Sequence, residues 1–142
     1  VCKAFYEIGS KGRMGLFKSD NPNYGDGGQM RDFVYVKDCV ELMFWILENP
    51  QVNGILNVGT GKAQSWNNLA HALFAAVGKT PQIDYVDMPD KLRGKYQNFT
   101  QADMGWMQEM RCPLAFASLE QGVADYVNNY LSQEDPYFEM LG

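Results

Sequence analysis

The chain has 142 residues and a mass of 16.1 kDa, which is the size of a single domain with a substantial core. Its apolar fraction of 46% and charged fraction of 20% are typical of a globular protein and exclude a disordered chain. The sequence has no apolar stretch of membrane-spanning length, no signal-peptide pattern and only three widely spaced cysteines, which excludes a disulfide framework. We therefore expect reduced thiols, a cytoplasmic location and no membrane partner.

The charge is unevenly distributed along the chain. A net charge of −5 argues against nucleic acid as a main partner. Residues 1–37 nevertheless carry a balance of +2 against −7 for residues 38–142, and a basic island of Lys91, Arg93 and Lys95 interrupts the acidic part. Two local concentrations of positive charge suggest an anionic ligand such as a phosphate. The alternative, to which we give equal weight, is that these are ordinary solvated Lys and Arg side chains.

The first third of the chain predicts one helix, one strand and a long loop. Residues 1–9 have helical periodicity without a capping residue, and the short apolar run 14–17 predicts a strand. Residues 19–30 are rich in Gly, Asn and Asp, and a loop of this length suggests a function. The β-rich run 33–36 leads into the next helix.

The middle of the chain alternates between helix and strand. Residues 37–48 are apolar on nearly every side, which predicts a buried helix. Residues 54–58 predict a strand, and the glycines of residues 59–61 predict a turn. A regular apolar stripe predicts a helix that begins at Ser65 and ends at Gly78.

The last third predicts one strand and two helices. Residues 82–86 alternate as a strand, and Thr100 with Asp103 suggests a helix that runs to about residue 110. Ser118 and Gln121 form a capping-box pattern at the start of the final helix. The predicted fold class is therefore α/β, a small mixed lobe of about five helices and four short strands.

Several reaction types are excluded by the sequence. The single histidine, His71, falls off the apolar stripe of its helix, and no zinc-protease, nucleophile-elbow or P-loop pattern occurs. The triplet of residues 59–61 lacks the third glycine of a dinucleotide loop, and Asp84 lies inside its strand instead of at a strand end. The residues considered so far name no reaction.

Two motifs resemble a known family. The run R-D-F-V-Y-V-K-D of residues 31–38, followed by G-I-L-N-V-G-T-G at residues 54–61, resembles the C-terminal half of extended short-chain dehydrogenase/reductase proteins, the nucleotide-sugar epimerases and dehydratases. Further similarity to the ADP-L-glycero-D-manno-heptose 6-epimerase group within them is carried by residues 15–19, 26–32, 87–89 and 92–100. The run L-R-G-K-Y-Q-N-F-T of residues 92–100 is the most specific of these.

The resemblance implies a part of an enzyme of lipopolysaccharide heptose precursor synthesis. In that family an N-terminal Rossmann domain binds NADP, and a Tyr-x-x-x-Lys pair and a further lysine act in catalysis. This sequence contains neither that pair nor the glycine-rich fingerprint. The expected organisation is a nucleotide-sugar substrate-binding lobe at residues 1–131 without the Rossmann half and without a cofactor of its own. Residues 132–142 form an acidic tail, expected to be loosely ordered.

The resemblance also assigns ligand contacts. It implies that the ADP-sugar, or another nucleotide diphosphate, is bound by Phe17, Lys18, Ser19, Asp20, Arg31 and Tyr96, with Lys3 where some relatives have a histidine near the substrate. Arg31 is expected on the diphosphate, which a guanidinium can hold with two parallel hydrogen bonds. The structural alternative is an ion pair of Arg31 with Asp32 or Asp38, and for Tyr96 it is a core aromatic ring.

Alternative functions stay open at this point. The chain could serve as a standalone binding or interaction module, or as the lobe of an enzyme for a UDP- or GDP-linked sugar. A lobe without its Rossmann half should expose apolar surface, so we expect a homo-oligomer.

Overall fold

The computed structural model describes residues 1–135, and within them the chain forms the mixed α/β lobe that the sequence predicts, with five α-helices and four short strands. The elements in chain order are α1 (Cys2–Lys11), β1 (Met14–Phe17), β2 (Met30–Arg31), α2 (Val36–Glu48), β3 (Gln64–Ser65), α3 (Trp66–Ala76), β4 (Ile83–Val86), α4 (Gly105–Glu109) and α5 (Leu119–Tyr126). A 3₁₀ turn spans Asp90–Leu92, and a π-helical segment, Val127–Leu131, continues α5. Most of the predicted acidic tail, from residue 136 onwards, lies outside the described residues. No helix within residues 1–135 is long and apolar enough to cross a membrane.

Helix α3 forms the centre of the hydrophobic core. Ser65 caps it by accepting a hydrogen bond from the Asn68 backbone N–H, as the sequence predicts. Most of its predicted stripe is buried, while Trp66 and Val77 at its ends are partly buried, and the stripe packs with side chains from α1, β1 and α5 and from the π-helical segment. The core comprises Ile8, Met14, Leu16, Leu69, Ala70, Ala72, Leu73, Phe74, Val123, Val127 and Leu131. The capping box at Ser118 and Gln121, which starts α5, is confirmed.

Two small sheets lie beside this core. Strands β1 and β4 pair in parallel, with Phe17 opposite Val86. Strands β2 and β3 pair antiparallel, with Arg31 opposite Gln64. On its other side, β2 is bonded to the segment 98–100, because the Met30 N–H donates to the Asn98 carbonyl at 2.8 Å and the Thr100 N–H donates to the Met30 carbonyl at 3.2 Å. These short ladders bring three distant parts of the chain together.

Three predicted boundaries were wrong. Residues 54–58 do not form a strand, and the described chain offers them no partner strand to pair with. The β-rich run of residues 33–36, the fourth of the short strands expected, forms no strand either; strand β2 lies before it, at Met30–Arg31. Helix α4 begins at Gly105 without a Thr100 cap, although Asp103 Oδ1 does accept a hydrogen bond from the Gly105 N–H at 2.9 Å.

The prediction that the apolar helix at 37–48 is buried was also wrong. In α2, only Leu42 is fully buried, and Leu47 is 77% exposed. We call the exposed apolar side chains of α2 and the segment after it the apolar belt; its members are Val36, Val40, Met43, Phe44, Leu47, Ile55 and Val58. The apolar character of residues 37–48 on nearly every side had predicted a covered surface, and nothing within residues 1–135 covers the belt.

The beginning of α2 is fixed to α5 by a polar cluster around Asp125. Its carboxylate accepts hydrogen bonds from the Tyr35 hydroxyl, from Lys37 Nζ at 2.7 Å and from Asn129 Nδ2 at 2.7 Å. The hydrogen bond from Lys37, followed by those from Tyr35 and Asn129, lowers the pKa of Asp125 to about 2. Burial and the bond to Asp125 raise the pKa of Tyr35 to about 12. The cluster therefore favours an ionised carboxylate beside a neutral phenol at neutral pH.

We predict that this cluster contributes to the acid sensitivity of the fold. Because the pKa of Asp125 is lower in the folded chain than its ordinary value of 3.8, its contribution to stability is present above that value and disappears as the pH falls towards 2. Asp125→Asn should flatten the fall in unfolding free energy between these pH values, and Tyr35→Phe should flatten it less. Urea unfolding at a series of pH values measures both slopes, and identical slopes in the parent chain and Asp125→Asn contradict the prediction.

A second prediction concerns the contact between Tyr35 and α5. A Cβ atom at Gly122 would lie 3.1 Å from Tyr35 Cβ and from Cγ. Overpacking of this kind costs about 1–3 kcal/mol, which exceeds the gain of ~0.5–1 kcal/mol from replacing a helical glycine by alanine. Gly122→Ala should therefore lower the unfolding free energy. The matched control is Gly9→Ala in α1, where a Cβ would meet no atom of residues 1–135 within 4 Å, and this variant should raise the unfolding free energy. Equal gains in both variants would show that Tyr35 gives way at no cost.

Candidate functional site

Three of the predicted ligand-binding side chains, Phe17, Arg31 and Tyr96, form one stack. The rings of Phe17 and Tyr96 meet edge to face, with centroids 6.2 Å apart. The Arg31 guanidinium carbon lies 5.1 Å from the centroid of the Tyr96 ring, within range of a cation–π interaction. The three residues come from the end of β1, from β2 and from the loop after β4, so the fold joins positions far apart in sequence.

The guanidinium of Arg31 is held by backbone carbonyls. Nη1 donates to the Met30 carbonyl at 2.7 Å, and Nη2 donates to the Gln97 carbonyl. A guanidinium has five N–H donors, so three are left for other acceptors. Among the ion pairs of residues 1–135 none involves Arg31. Arg31 is thus an oriented cation with unused donors.

The ion-pair alternative for Arg31 differs from the observed contacts. Asp38 Oδ2 accepts a hydrogen bond from the Ala117 N–H at 2.9 Å. The Asp32 carboxylate faces backbone and hydroxyl donors of other segments and does not contact Arg31. Tyr96 is half-buried between Phe17 and Arg31 and is not part of the hydrophobic core.

The remaining predicted residues of the 17–20 stretch are engaged in local contacts beside the stack. Lys18 Nζ pairs with Asp87 Oδ1 at 3.0 Å, a hydrogen bond that lowers the pKa of Asp87. The Ser19 N–H donates to Asp26 Oδ1 at 2.9 Å, and Asp20 Oδ2 accepts from the Gly94 N–H at 2.8 Å. The Asp20 contact links the loop after β1 to the loop that carries Tyr96. Both loops thus form one surface.

Lys3 is not brought to this surface by any described contact. It lies exposed in the first turn of α1, and no interaction within residues 1–135 connects it to the stack. The basic island, by contrast, lies in the Tyr96 loop: Arg93 is 3.4 Å from Asp90, and Lys91 and Lys95 are exposed without a carboxylate partner in the described chain.

Asp32 also lies in the region of the site, although the sequence analysis did not predict it as a site residue. Its Oδ1 accepts from the Thr60 N–H at 2.7 Å and the Thr60 hydroxyl at 2.5 Å, and its Oδ2 accepts from the N–H groups of Gly61 at 2.9 Å and Ala102 at 3.0 Å. Burial raises the pKa of Asp32, but the hydrogen bonds from Thr60, Ala102 and Gly61 outweigh it, so that the pKa lies below its ordinary value. The only sequence signal was its place in the R-D-F run, next to Arg31.

Two buried amides were also missed. Gln29 is only 1% exposed, and its Nε2 donates to the Lys18 carbonyl at 3.4 Å. Asn98, two residues after Tyr96, is half-buried, and its Oδ1 atom is buried with no hydrogen-bond partner among residues 1–135. Nothing in the local sequence distinguishes these amides from solvated loop residues.

The glycine turn at residues 59–61 does not fit a dinucleotide. The N–H groups of Thr60 and Gly61 are both donated to the Asp32 carboxylate, so they are not available for a diphosphate. The described residues also contain no group of side chains that could hold a metal ion. The turn therefore binds the Asp32 carboxylate through its backbone.

Comparison with known proteins agrees with this architecture. A family described as the NAD dependent epimerase/dehydratase family matches residues 11–59. An ADP-L-glycero-D-manno-heptose-6-epimerase of Nitratidesulfovibrio vulgaris is 57% identical over 137 residues, which is 96% of this chain. This chain belongs to the NAD-dependent epimerase/dehydratase family.

Solved structures place the lobe within the fold of this epimerase/dehydratase family. The ADP-L-glycero-D-manno-heptose-6-epimerase of Helicobacter pylori superposes with a TM-score of 0.70 over 90% of this chain, at 23% identity. A Thermus thermophilus UDP-glucose 4-epimerase, solved in complex with NAD, gives a TM-score of 0.66 over 87% of the chain, at 25% identity. The fold is thus shared by relatives whose names specify different nucleotide sugars.

The chain spans less than half of the length of each of these relatives. It covers 42% of the Nitratidesulfovibrio vulgaris protein, 36% of the Helicobacter pylori structure and 37% of the Thermus thermophilus structure.

Proposed function

We propose that residues 1–131 form the nucleotide-sugar-binding lobe of an epimerase that acts on an ADP-linked heptose. The carrying observation is the Arg31 guanidinium, which lies on the Tyr96 ring, has three unused N–H donors and has no carboxylate partner in the described chain. The 57% identity to a heptose epimerase over nearly the whole chain supports the choice of ligand.

In this proposal the ligand diphosphate takes the unused donors of Arg31. A guanidinium binds two phosphate oxygens with parallel hydrogen bonds that a point charge cannot make. The Tyr96 hydroxyl adds one hydrogen bond to a phosphate or sugar oxygen, and the 17–20 stretch holds the nucleoside. A role for Lys3 stays a prediction without a contact to support it.

The proposed division of labour leaves the chemistry outside this chain. A nicotinamide cofactor accepts and returns a hydride during epimerisation, and we propose that NADP is held by the part of such an enzyme that these 142 residues do not match. The lobe binds and orients the nucleotide sugar and has no epimerase activity by itself. A standalone binding module is the competing function, and a UDP- or GDP-sugar enzyme is the competing specificity.

We predict that the chain binds ADP weakly through Arg31. Isothermal titration should give a dissociation constant between about 0.1 and 1 mM, since the contacts of a second domain are missing. Arg31→Ala should weaken binding by about 1.5–3 kcal/mol, and Arg31→Lys should recover part of this because the charge remains without the fork. Tyr96→Phe should cost less, about 0.5–1.5 kcal/mol, because it keeps the ring that supports Arg31.

Parallel titrations distinguish the alternatives. ADP-heptose binding tighter than ADP and UDP supports the proposed ligand, whereas UDP binding tighter than ADP favours the competing specificity. NADPH should produce no heat and no change in cofactor fluorescence. If Arg31→Ala leaves ADP binding unchanged and lowers only the melting temperature, Arg31 is structural and the proposed site is wrong.

The apolar belt supports a lobe that packs against further protein. Its members include Phe44, 64% exposed, and Ile55, fully exposed, and exposed apolar side chains gathered on one helix and the adjoining segment are typical of an interface. We propose that the belt packs on the cofactor-binding part in a complete enzyme. In this chain alone, the same surface favours contact between copies.

We therefore predict that the 142-residue chain self-associates through the belt. Light scattering should show a mass above that of the monomer, rising with concentration. Replacing Phe44 and Leu47 together by Lys should shift the chain towards monomer, because charged side chains are costly to bury unpaired. Tyr6→Lys, on the exposed side of α1, is the matched control and should have no effect. A monomer throughout a wide concentration range contradicts the prediction.

A further inference from the structure

The four donors of Asp32 come from two segments remote in sequence. Two are the backbone and hydroxyl of Thr60, one is the N–H of Gly61, and one is the N–H of Ala102. None of them is a cation, so the carboxylate acts as a tether between chain segments and does not neutralise a charge. The packing around it is tight: a Cβ atom at Gly59 would lie 2.6 Å from Asp32 Oδ2 and 2.7 Å from Ala102 Cβ.

Two of the segments that Asp32 joins, its own and that of Ala102, carry members of the stack. Arg31 directly precedes Asp32, and Tyr96 lies on the same segment as Ala102. Two backbone hydrogen bonds also join these segments: the Met30 N–H donates to the Asn98 carbonyl, and the Thr100 N–H donates to the Met30 carbonyl. The segments 30–32 and 97–102 thus run side by side. The hydrogen bond from Arg31 to the Gln97 carbonyl fixes one end of this pair, and the hydrogen bond from the Ala102 N–H to Asp32 fixes the other end.

We propose that Asp32 is a positioning residue for the anion site, because its hydrogen bonds to Thr60, Gly61 and Ala102 hold Arg31 and Tyr96 in register. This inference rests on the proposed function for its effect on ligand affinity. Its structural part, the placement of the Arg31 guanidinium on the Tyr96 ring, stands independently of any ligand.

The test uses two substitutions of the same type. Asp32→Asn keeps the size of the side chain but replaces one acceptor oxygen by an NH₂ group that faces N–H donors. Asp38→Asn is the matched control, because Asp38 also tethers a backbone N–H, that of Ala117, but does so outside the stack. Both variants are compared well below their melting temperatures, so that loss of global stability does not enter the comparison.

The ligand readout is ADP affinity. Asp32→Asn should raise the dissociation constant for ADP roughly five- to twenty-fold, whereas Asp38→Asn should change it less than about twofold. If Asp32 acts through Arg31, adding Asp32→Asn to Arg31→Ala should weaken binding by less than about twofold further. Equal losses in Asp32→Asn and Asp38→Asn, or full additivity with Arg31→Ala, would overturn the proposal.

The second readout needs no ligand. The face of an aromatic ring shifts the NMR signals of protons above it upfield, so the side-chain CH₂ and Nε–H signals of Arg31 report its place on Tyr96. Asp32→Asn should move these signals towards the values of the Tyr96→Leu variant, and Asp38→Asn should leave them in place. Arg31 signals that keep their upfield shift in Asp32→Asn would contradict the proposal. If the parent chain binds no ADP, the proposed function fails, and this readout still decides the role of Asp32.

Thr60→Val guards against a failure of Asp32→Asn to fold. It removes the hydroxyl donor to Asp32 and leaves the backbone donors of residues 60, 61 and 102 in place. Both readouts should move in the same direction by a smaller amount, roughly two- to threefold in ADP affinity. No movement of either readout in Thr60→Val counts against the tether.

Discussion

The first turn of α3 donates its backbone N–H groups to the loop that leads into β2. The Trp66 N–H donates to the Gln29 carbonyl at 3.2 Å, and the Asn67 N–H donates to the Gly27 carbonyl at 3.0 Å. Asn67 Nδ2 adds a bond to the Asp26 carbonyl at 2.9 Å. The N–H groups of a first helical turn have no acceptor within the helix, so these bonds satisfy both the helix and the loop. Since α3 is also the centre of the core, the loop before Arg31 is fixed to the most buried part of the lobe.

Short ladders of backbone hydrogen bonds connect this loop to the rest of the candidate site. Strand β2 pairs with β3 on one side and bonds to the segment after Tyr96 on the other. The candidate site is therefore built from two strand residues and one loop beside the core, so its side chains can differ between relatives while the scaffold persists. The shared fold of epimerases named for ADP-heptose and for UDP-glucose agrees with this arrangement.

Local signals predicted the helices that are capped and amphipathic. The Ser65 cap of α3 and the capping box of α5 need only neighbouring residues, which the sequence shows directly. The burial of α2 and the strand at residues 54–58 were predicted wrongly for one shared reason. An apolar sequence shows that a segment can be buried or paired, but it does not identify the element that covers it or pairs with it. Within residues 1–135 one face of α2 stays exposed and residues 54–58 have no partner strand.

The residues of the candidate site could be predicted mainly from the family resemblance. Arg31 and Tyr96 are separated by 65 positions, and the charge pattern alone indicated only two basic regions. The position of Asp32 next to Arg31 suggested an ion pair between them. The two side chains meet different neighbours, however: Arg31 lies on the Tyr96 ring and donates to backbone carbonyls, whereas the Asp32 carboxylate accepts from N–H and hydroxyl groups of other segments. The carbonyl of Gln97, which accepts from Arg31, has no side-chain signal at all.

The contacts of Arg31 explain why the position holds an arginine. Two carbonyls and a ring face orient the guanidinium, and a cation–π contact contributes about 0.5–1 kcal/mol, but none of these groups carries a negative charge. Lys18, in contrast, is paired with Asp87. A lysine at position 31 would supply the charge without a planar face for the Tyr96 ring or a fixed fork of donors. The stack therefore keeps a positive charge and three N–H donors that have no partner within residues 1–135.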